Sequence, residues 1–128
     1  MAQLLDKHPG LQAASVAVPT AAHRAAATPL LCRRIACLVE KPLAASVSEA
    51  RALGAVAAEH GSILQVGHTE RFNPAVAAAL PLVRAPRFIE VHRIGAFAAR
   101  SLDIDVVFDL MIHDLDIILR LVEEEVIY

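Results

Sequence analysis

The sequence contains no tryptophan, one tyrosine and four phenylalanines. A core of stacked rings is therefore excluded, and apolar bulk must come from Ala, Val, Leu and Ile. The abundance of alanine favours helices. Only two cysteines occur, Cys32 and Cys37; their spacing suits neither a Cys-x-x-Cys redox pair nor a zinc knuckle, and two thiols make no disulfide framework. They read as reduced apolar side chains of a protein kept in a reducing cytoplasm. No run reaches the roughly 20 uncharged apolar residues that a membrane span requires, and the first eight residues lack a signal peptide's apolar centre. A soluble, cytoplasmic chain without a membrane partner is expected. Neither sign of charge dominates: 12 basic and 14 acidic side chains leave a formal net charge of -2. Nucleic acid, which is held first through its phosphates, is an improbable partner for such a surface. Lysine is scarce too, with Lys7 and Lys41 the only two. An ammonium can lose its proton when desolvated and a guanidinium effectively cannot, so Lys41 stands out in a chain that otherwise uses arginine.

What is present alternates. A length of 128 residues fits one ordinary domain. Ala14–Val18 reads as a short apolar strand stopped by Pro19, with Thr20 an N-cap for a helix over 21–34 that contains Pro29. Ile35–Val39 is a second strand and ends in Glu40-Lys41-Pro42. Ser46 with Glu49 resembles a capping box, opening a helix that runs through His60 and is closed by Gly61. Ser62–Val66 is the third strand. Strand, helix, strand, helix, strand predicts parallel strands joined by right-handed crossovers, an α/β arrangement. In such sheets the ligand crevice lies outside the carboxyl ends of the strands. All three predicted ends carry polar residues: Pro19 and Thr20 with His23, Glu40-Lys41-Pro42, and His68 with Arg71 and Asn73. After Pro74 a helix is expected to about Val83. Arg87–Ile94 then alternates with period two, as a strand with one wet face would. A second unit is therefore expected over 75–128, after a first over 1–74, with another strand beginning after Glu123.

The stretch from Asp103 to Arg120 is the richest in chemistry. At about 3.6 residues per turn it sets Asp105, Asp109, His113, Asp116 and Arg120 in one stripe. Apolar residues such as Val107, Phe108, Leu110, Ile112, Leu115 and Ile118 fill the rest of the circumference. That composition predicts a buried helix whose polar stripe looks into a site, since buried carboxylates need partners or a polar cleft. A solvated polar face is the plainer alternative. Asp109, His113 and Asp116 could also offer metal ligands, but no second His or Cys stands at ligand spacing, and no metal is expected. As a proton-transfer set, His113 could take a proton from an alcohol, Asp109 could orient the imidazole, and Lys41 could stabilise an alkoxide.

Taken together and in order, Val18-Pro19-Thr20 with His23, Val39-Glu40-Lys41-Pro42-Leu43, Val66-Gly67-His68-Thr69-Glu70-Arg71-Phe72-Asn73-Pro74 and Asp109-x-x-x-His113-Asp114-x-Asp116 resemble the Gfo/Idh/MocA family. Members of this family oxidise or reduce sugar and polyol carbonyls with a nicotinamide. The Gly67-His68 and Met111-Ile112-His113-Asp114 variant is similar to its sugar-nucleotide dehydrogenases. The resemblance implies a partial Rossmann-like parallel sheet followed by the start of an α+β open-sheet domain, NAD or NADP as cofactor, and a sugar, sugar-nucleotide or polyol substrate. It also implies a homo-oligomer. Lys41, Asp109 and His113 match catalytic positions of the family, while Pro19, Thr20, His23, Glu40, Lys41, Pro42 and Arg71 match cofactor-lining ones. The family's Gly-x-Gly-x-x-Gly turn has no counterpart among Gly10, Gly54, Gly61, Gly67 and Gly95. A fragment lacking that unit and most of the C-terminal domain is therefore expected, inactive in isolation. A non-catalytic remnant that serves as an association module is the alternative.

Overall fold

The computed structural model describes residues 2–94, 105–122, 124, 126 and 127. The chain divides into two compact units, Met1–Gly67 and His68–Tyr128.

The first unit opens with helix α1 (Ala2–Lys7) and then alternates as expected: β1 (Ala13–Val16), α2 (His23–Leu31), β2 (Ala36–Val39), α3 (Val47–His60) and β3 (Leu64–Val66). The strands form one parallel sheet in the order β1-β2-β3. Ala13 pairs with Ala36 and Val16 with Val39; Val39 in turn pairs with Val66. Side chains alternate across a strand, so one set faces the helices. Val16, Cys37 and Val39 from the sheet meet Ala27, Leu30 and Leu31 of α2, Leu53 and Ala57 of α3, and Leu5 of α1 in a single core. The opposite set, including Ser15, Leu38 and Gln65, is exposed. Parallel sheets are usually covered on both faces; here, among the described residues, the helices cover one, and Ser15 and Gln65 lie on the other. Cys37 is buried, which pushes its thiol pKa up, whereas Cys32 is exposed.

Local chemistry explains most element ends. Ser46 accepts a hydrogen bond from the Glu49 amide at 3.3 Å, and Gly61 closes α3 at φ 63° in the left-handed region. Thr20 caps nothing. It lies in a 3-10 turn, Thr20–Ala22, that precedes α2, and the cap position of α2 is Ala22 without a side-chain bond. Helix α2 also stops at Leu31, short of Arg34. The Arg34 amide donates to the Leu31 carbonyl and the Ile35 amide to the Leu30 carbonyl, with Arg34 at φ 59°. That is the paired C-terminal closure normally assigned to glycine, completed by burial of Ile35.

In the second unit a 3-10 turn (Thr69–Phe72) leads to α4 (Pro74–Ala79), capped by the Asn73 side chain, which accepts from the Ala75 amide at 3.0 Å. Proline at the first helical position suits this start. A further 3-10 turn, Leu80–Leu82, follows, and Pro81 within it forbids a longer α-helix. The strand expected over Arg87–Ile94 is not formed: no ladder partner exists for it among the described residues, and alternation without a partner does not make a strand. The strand expected after Glu123 falls partly outside the described residues. A π-helical turn (Val107–Met111) continues into α5 (Ile112–Val122). The expectation of burial fails for this helix. Val106, Val107, Phe108, Met111, Leu115 and Leu119 are exposed, and its buried residue is a polar one, Asp116.

Candidate functional site

Register gathers the candidate residues of the first unit. Because Val16, Val39 and Val66 lie side by side, the segments that follow them leave the sheet along one edge. The Glu40 amide donates to the Val16 carbonyl at 3.0 Å, and the Gly67 amide to the Val39 carbonyl at 2.7 Å. Gly67 has a steric reason to be glycine. A β-carbon there would stand 3.1 Å from Glu40 Oε2 and 3.3 Å from the Glu40 Cα. The end of β3 therefore admits the Glu40 side chain because position 67 has none of its own. Glu40 Oε2 also accepts from the Lys41 amide at 3.3 Å. Lys41 is half-buried, Pro42 is buried, and the peptide between them is cis.

His23 sits behind this edge. Its ring is 1% exposed. Nδ1 lies 3.0 Å from the Pro42 carbonyl oxygen and 3.3 Å from that of Leu43, while Nε2 lies 2.9 Å from the Val18 carbonyl oxygen. Pro19, Thr20, Glu40, Lys41 and Pro42 are thus gathered at one sheet edge within the first unit. His23 meets backbone there, not an open surface.

The remaining candidates, Arg71, Asp109 and His113, belong to the second unit. Arg71 forms a two-pronged ion pair with Asp116, its Nε donating at 2.7 Å. Asp116 is almost fully covered, whereas Arg71 is about half-exposed at 47%. The hydrogen bond from Arg71 holds the Asp116 carboxyl below its ordinary range; the charges of His68, Arg71 and Arg120 add to this, and burial opposes it. The same pairing pushes Arg71 further up. A second pair, Arg93 with Asp114, has contacts at 2.7 and 3.0 Å and fastens the extended segment before residue 95 to α5. Both pairs join residues far apart in sequence, and no local pattern announces them.

Two members of the expected stripe have other work. Asp105 accepts from the Phe108 amide at 3.0 Å and so caps the helix start. Asp116 is committed to Arg71. Asp109 and His113, both half-buried, remain four positions apart. Asp109 lies within the π turn and His113 just beyond it, so the uniform α-helical stripe is replaced by a wider turn at the site. Such turns occur frequently where function is placed. Among the described residues no three His, Cys, Asp or Glu side chains form a metal cluster, and no helix is long and apolar enough to cross a membrane.

Replacing Arg71 by alanine is expected to strand a buried carboxylate, at about 1–3 kcal/mol for its desolvation. The wild-type pair carries a pH signature with a definite sign. A carboxyl whose folded pKa is lowered adds stability above its unfolded pKa of about 3.9, and that stability is lost as pH falls through the folded value. Urea unfolding read by amide exchange in α5 should therefore show a wild-type decline below about pH 4. Arg71→Ala should be weaker at pH 7 and lack that decline.

The comparisons with known proteins fit this geometry. Residues 1–68, more than half of the chain, match the Gfo/Idh/MocA family model, described as an oxidoreductase family with an NAD-binding Rossmann fold. The chain belongs to the Gfo/Idh/MocA oxidoreductases. It is 41% identical over 116 residues to the UDP-N-acetylglucosamine 3-dehydrogenase of Acidithiobacillus ferrooxidans, an alignment covering 90% of this chain and 37% of that relative. It is 31% identical over 127 residues to the myo-inositol dehydrogenase Hyg17 of Streptomyces leeuwenhoekii, covering 92% and 39%. A solved structure of the Acidithiobacillus enzyme superposes with a TM-score of 0.83, covering 91% of this chain and 39% of that one. The chain thus spans less than two fifths of the length of these relatives. Its three-stranded parallel sheet is part of a Rossmann-like α/β fold.

Proposed function

We propose that this chain supplies the central part of an NAD(P)-dependent dehydrogenase acting on a hydroxyl or ketone of a sugar, sugar nucleotide or polyol. The observation that carries the reading is the gathering of Pro19, Thr20, Glu40, Lys41 and Pro42 at the carboxyl edge of a parallel sheet, the place where such folds bind ligands. That edge fits one end of a dinucleotide. Its Gly67–Glu40 contact is a close backbone approach, and Lys41 offers a cation beside it. The pyrophosphate is not matched, because no glycine-rich turn occurs in these 128 residues. When bound, the nicotinamide gives or takes the hydride.

The protein's own part is proton handling and placement. His113 exchanges the hydroxyl proton at a ring nitrogen, Asp109 fixes the tautomer of that ring, and the Lys41 ammonium stabilises charge growing on the substrate oxygen. Pro19, Thr20, Glu40, Pro42 and Arg71 are assigned to the cofactor side, with His23 behind them. The first substrate to try is UDP-N-acetylglucosamine, given the 41% identity to a dehydrogenase of that name, with myo-inositol second.

An association module is the second reading, favoured by the uncovered sheet face and by the exposed apolar residues of the π turn and α5. Titration with NADH and NADPH, read by nicotinamide fluorescence, separates the two. It is run on the 128-residue chain and on the chain prolonged upstream through its reading frame. Saturable binding by the prolonged chain is expected. No binding by either would overturn the dehydrogenase reading and leave association.

A further inference from the structure

We propose that His23 is a positioning residue that sets where Lys41 stands, acting through backbone on both sides of the sheet edge. This rests on the assignment of Lys41 above. The ring lies between the chain leaving β1 and the chain leaving β2, with Nε2 at the Val18 carbonyl and Nδ1 at those of Pro42 and Leu43. Lys41 is therefore held on both flanks. On one side the Glu40 amide donates to the Val16 carbonyl, and on the other the Pro42 carbonyl oxygen lies 3.0 Å from the buried His23 ring. With its neighbours fixed, the Lys41 backbone has little freedom to drift, and the side chain starts from one place on the sheet edge.

The side-chain type follows from the geometry. The two ring nitrogens point to opposite sides of a flat ring, so one side chain reaches carbonyls on two separate segments. A ring with one N–H donates to one of these segments and lies against the other, and its flat, rigid frame fixes the spacing between them; the flexible amide of glutamine keeps N–H donors but not that fixed spacing. Apolar residues could fill the space but would leave Val18, Pro42 and Leu43 carbonyls without this partner in a covered position. His23 contributes 1% of its surface to solvent, so its influence on a ligand at the edge is indirect.

The scarcity of lysine supplies the test. With only Lys7 and Lys41 present, reductive methylation with 13C-formaldehyde gives two dimethyl-lysine NMR signals besides that of the terminal amine, and Lys7 is an internal control. In the wild-type chain the Lys41 signal should be separate from that of exposed Lys7. In His23→Gln it should move towards the Lys7 position or split, while Lys7 and the methyl signals of Leu30 and Leu53 stay in place. A folded His23→Gln with an unchanged Lys41 signal would overturn the proposal, showing His23 to be only core filling. His23→Asn repeats the test with a shorter amide if the glutamine variant does not fold. In the chain prolonged at both ends through its reading frame, once turnover is measured there, His23→Gln should lower kcat by about 10- to 100-fold, the range for a small misplacement of a reacting group. Saturating NAD(P)H keeps this readout on turnover. A moved Lys41 signal with unchanged kcat would keep the positioning role and discard Lys41 as a catalytic group, so the two ideas fail separately.

Discussion

His113→Ala, made in the chain prolonged at both ends through its reading frame, is expected to lower kcat for NAD(P)-linked oxidation of a sugar nucleotide by about 10²–10⁴, the range for a positioned general acid or base. Lys41→Ala should lower it by about 10²–10³, as for other groups that stabilise charge growing in the transition state. NADH binding should survive in His113→Ala, which lies outside the sheet edge, and weaken in Lys41→Ala, which removes the cation at that edge. Absorbance of the reduced nicotinamide measures the first effect and its fluorescence the second. Turnover by His113→Ala within a factor of two of wild type would remove the imidazole from the reaction. His113 is half-buried beside the π turn, so a circular dichroism spectrum of each variant accompanies the kinetics.

Leu53→Ala is expected to be the most damaging single change to the first unit. Leu53 is 0% exposed and meets residues of the sheet and of α2 in the core. Truncating a leucine in such a place costs about 2–5 kcal/mol, the transfer of the lost atoms plus the cavity left behind. Domains of this kind are stable by roughly 5–15 kcal/mol in total. The core here holds Leu, Ile, Val, Ala and Cys, with no ring large enough to swing into the gap. Urea unfolding followed by helical circular dichroism should show the shift. Val47→Ala, 67% exposed in the same helix, should stay within about 0.5 kcal/mol. Equal effects at the two positions would contradict the core as described.

The alternation of strands and helices in the first unit is legible in local signals, for identifiable reasons. Each strand is a short apolar run with its own stop, and α3 carries its start in Ser46 and its end in Gly61. The strand-end rule for parallel sheets places Pro19, Thr20, Glu40, Lys41 and Pro42 along one edge from sequence order alone. What escaped were features that depend on a partner. Arg87–Ile94 alternates as a strand should, but a strand exists only against another. Asp116 looked like part of a polar stripe until Arg71, 45 positions earlier, claimed both its oxygens. The composition of α5 promised burial, yet burial requires something to cover it, and the described residues supply cover for little beyond Asp116. The end of α2 was missed because arginine adopts a conformation usually left to glycine. His23 was legible as a residue of the site but not as one turned towards backbone, since nothing in its neighbours announces the carbonyls of residues 18, 42 and 43.

Gly67 gives the sheet edge an unusual mutational profile. Every residue that a single base change can put in place of glycine carries a β-carbon, and at this position that atom meets Glu40 before anything else. Damage at residue 67 is thus felt first at the Glu40-Lys41-Pro42 loop, one strand away.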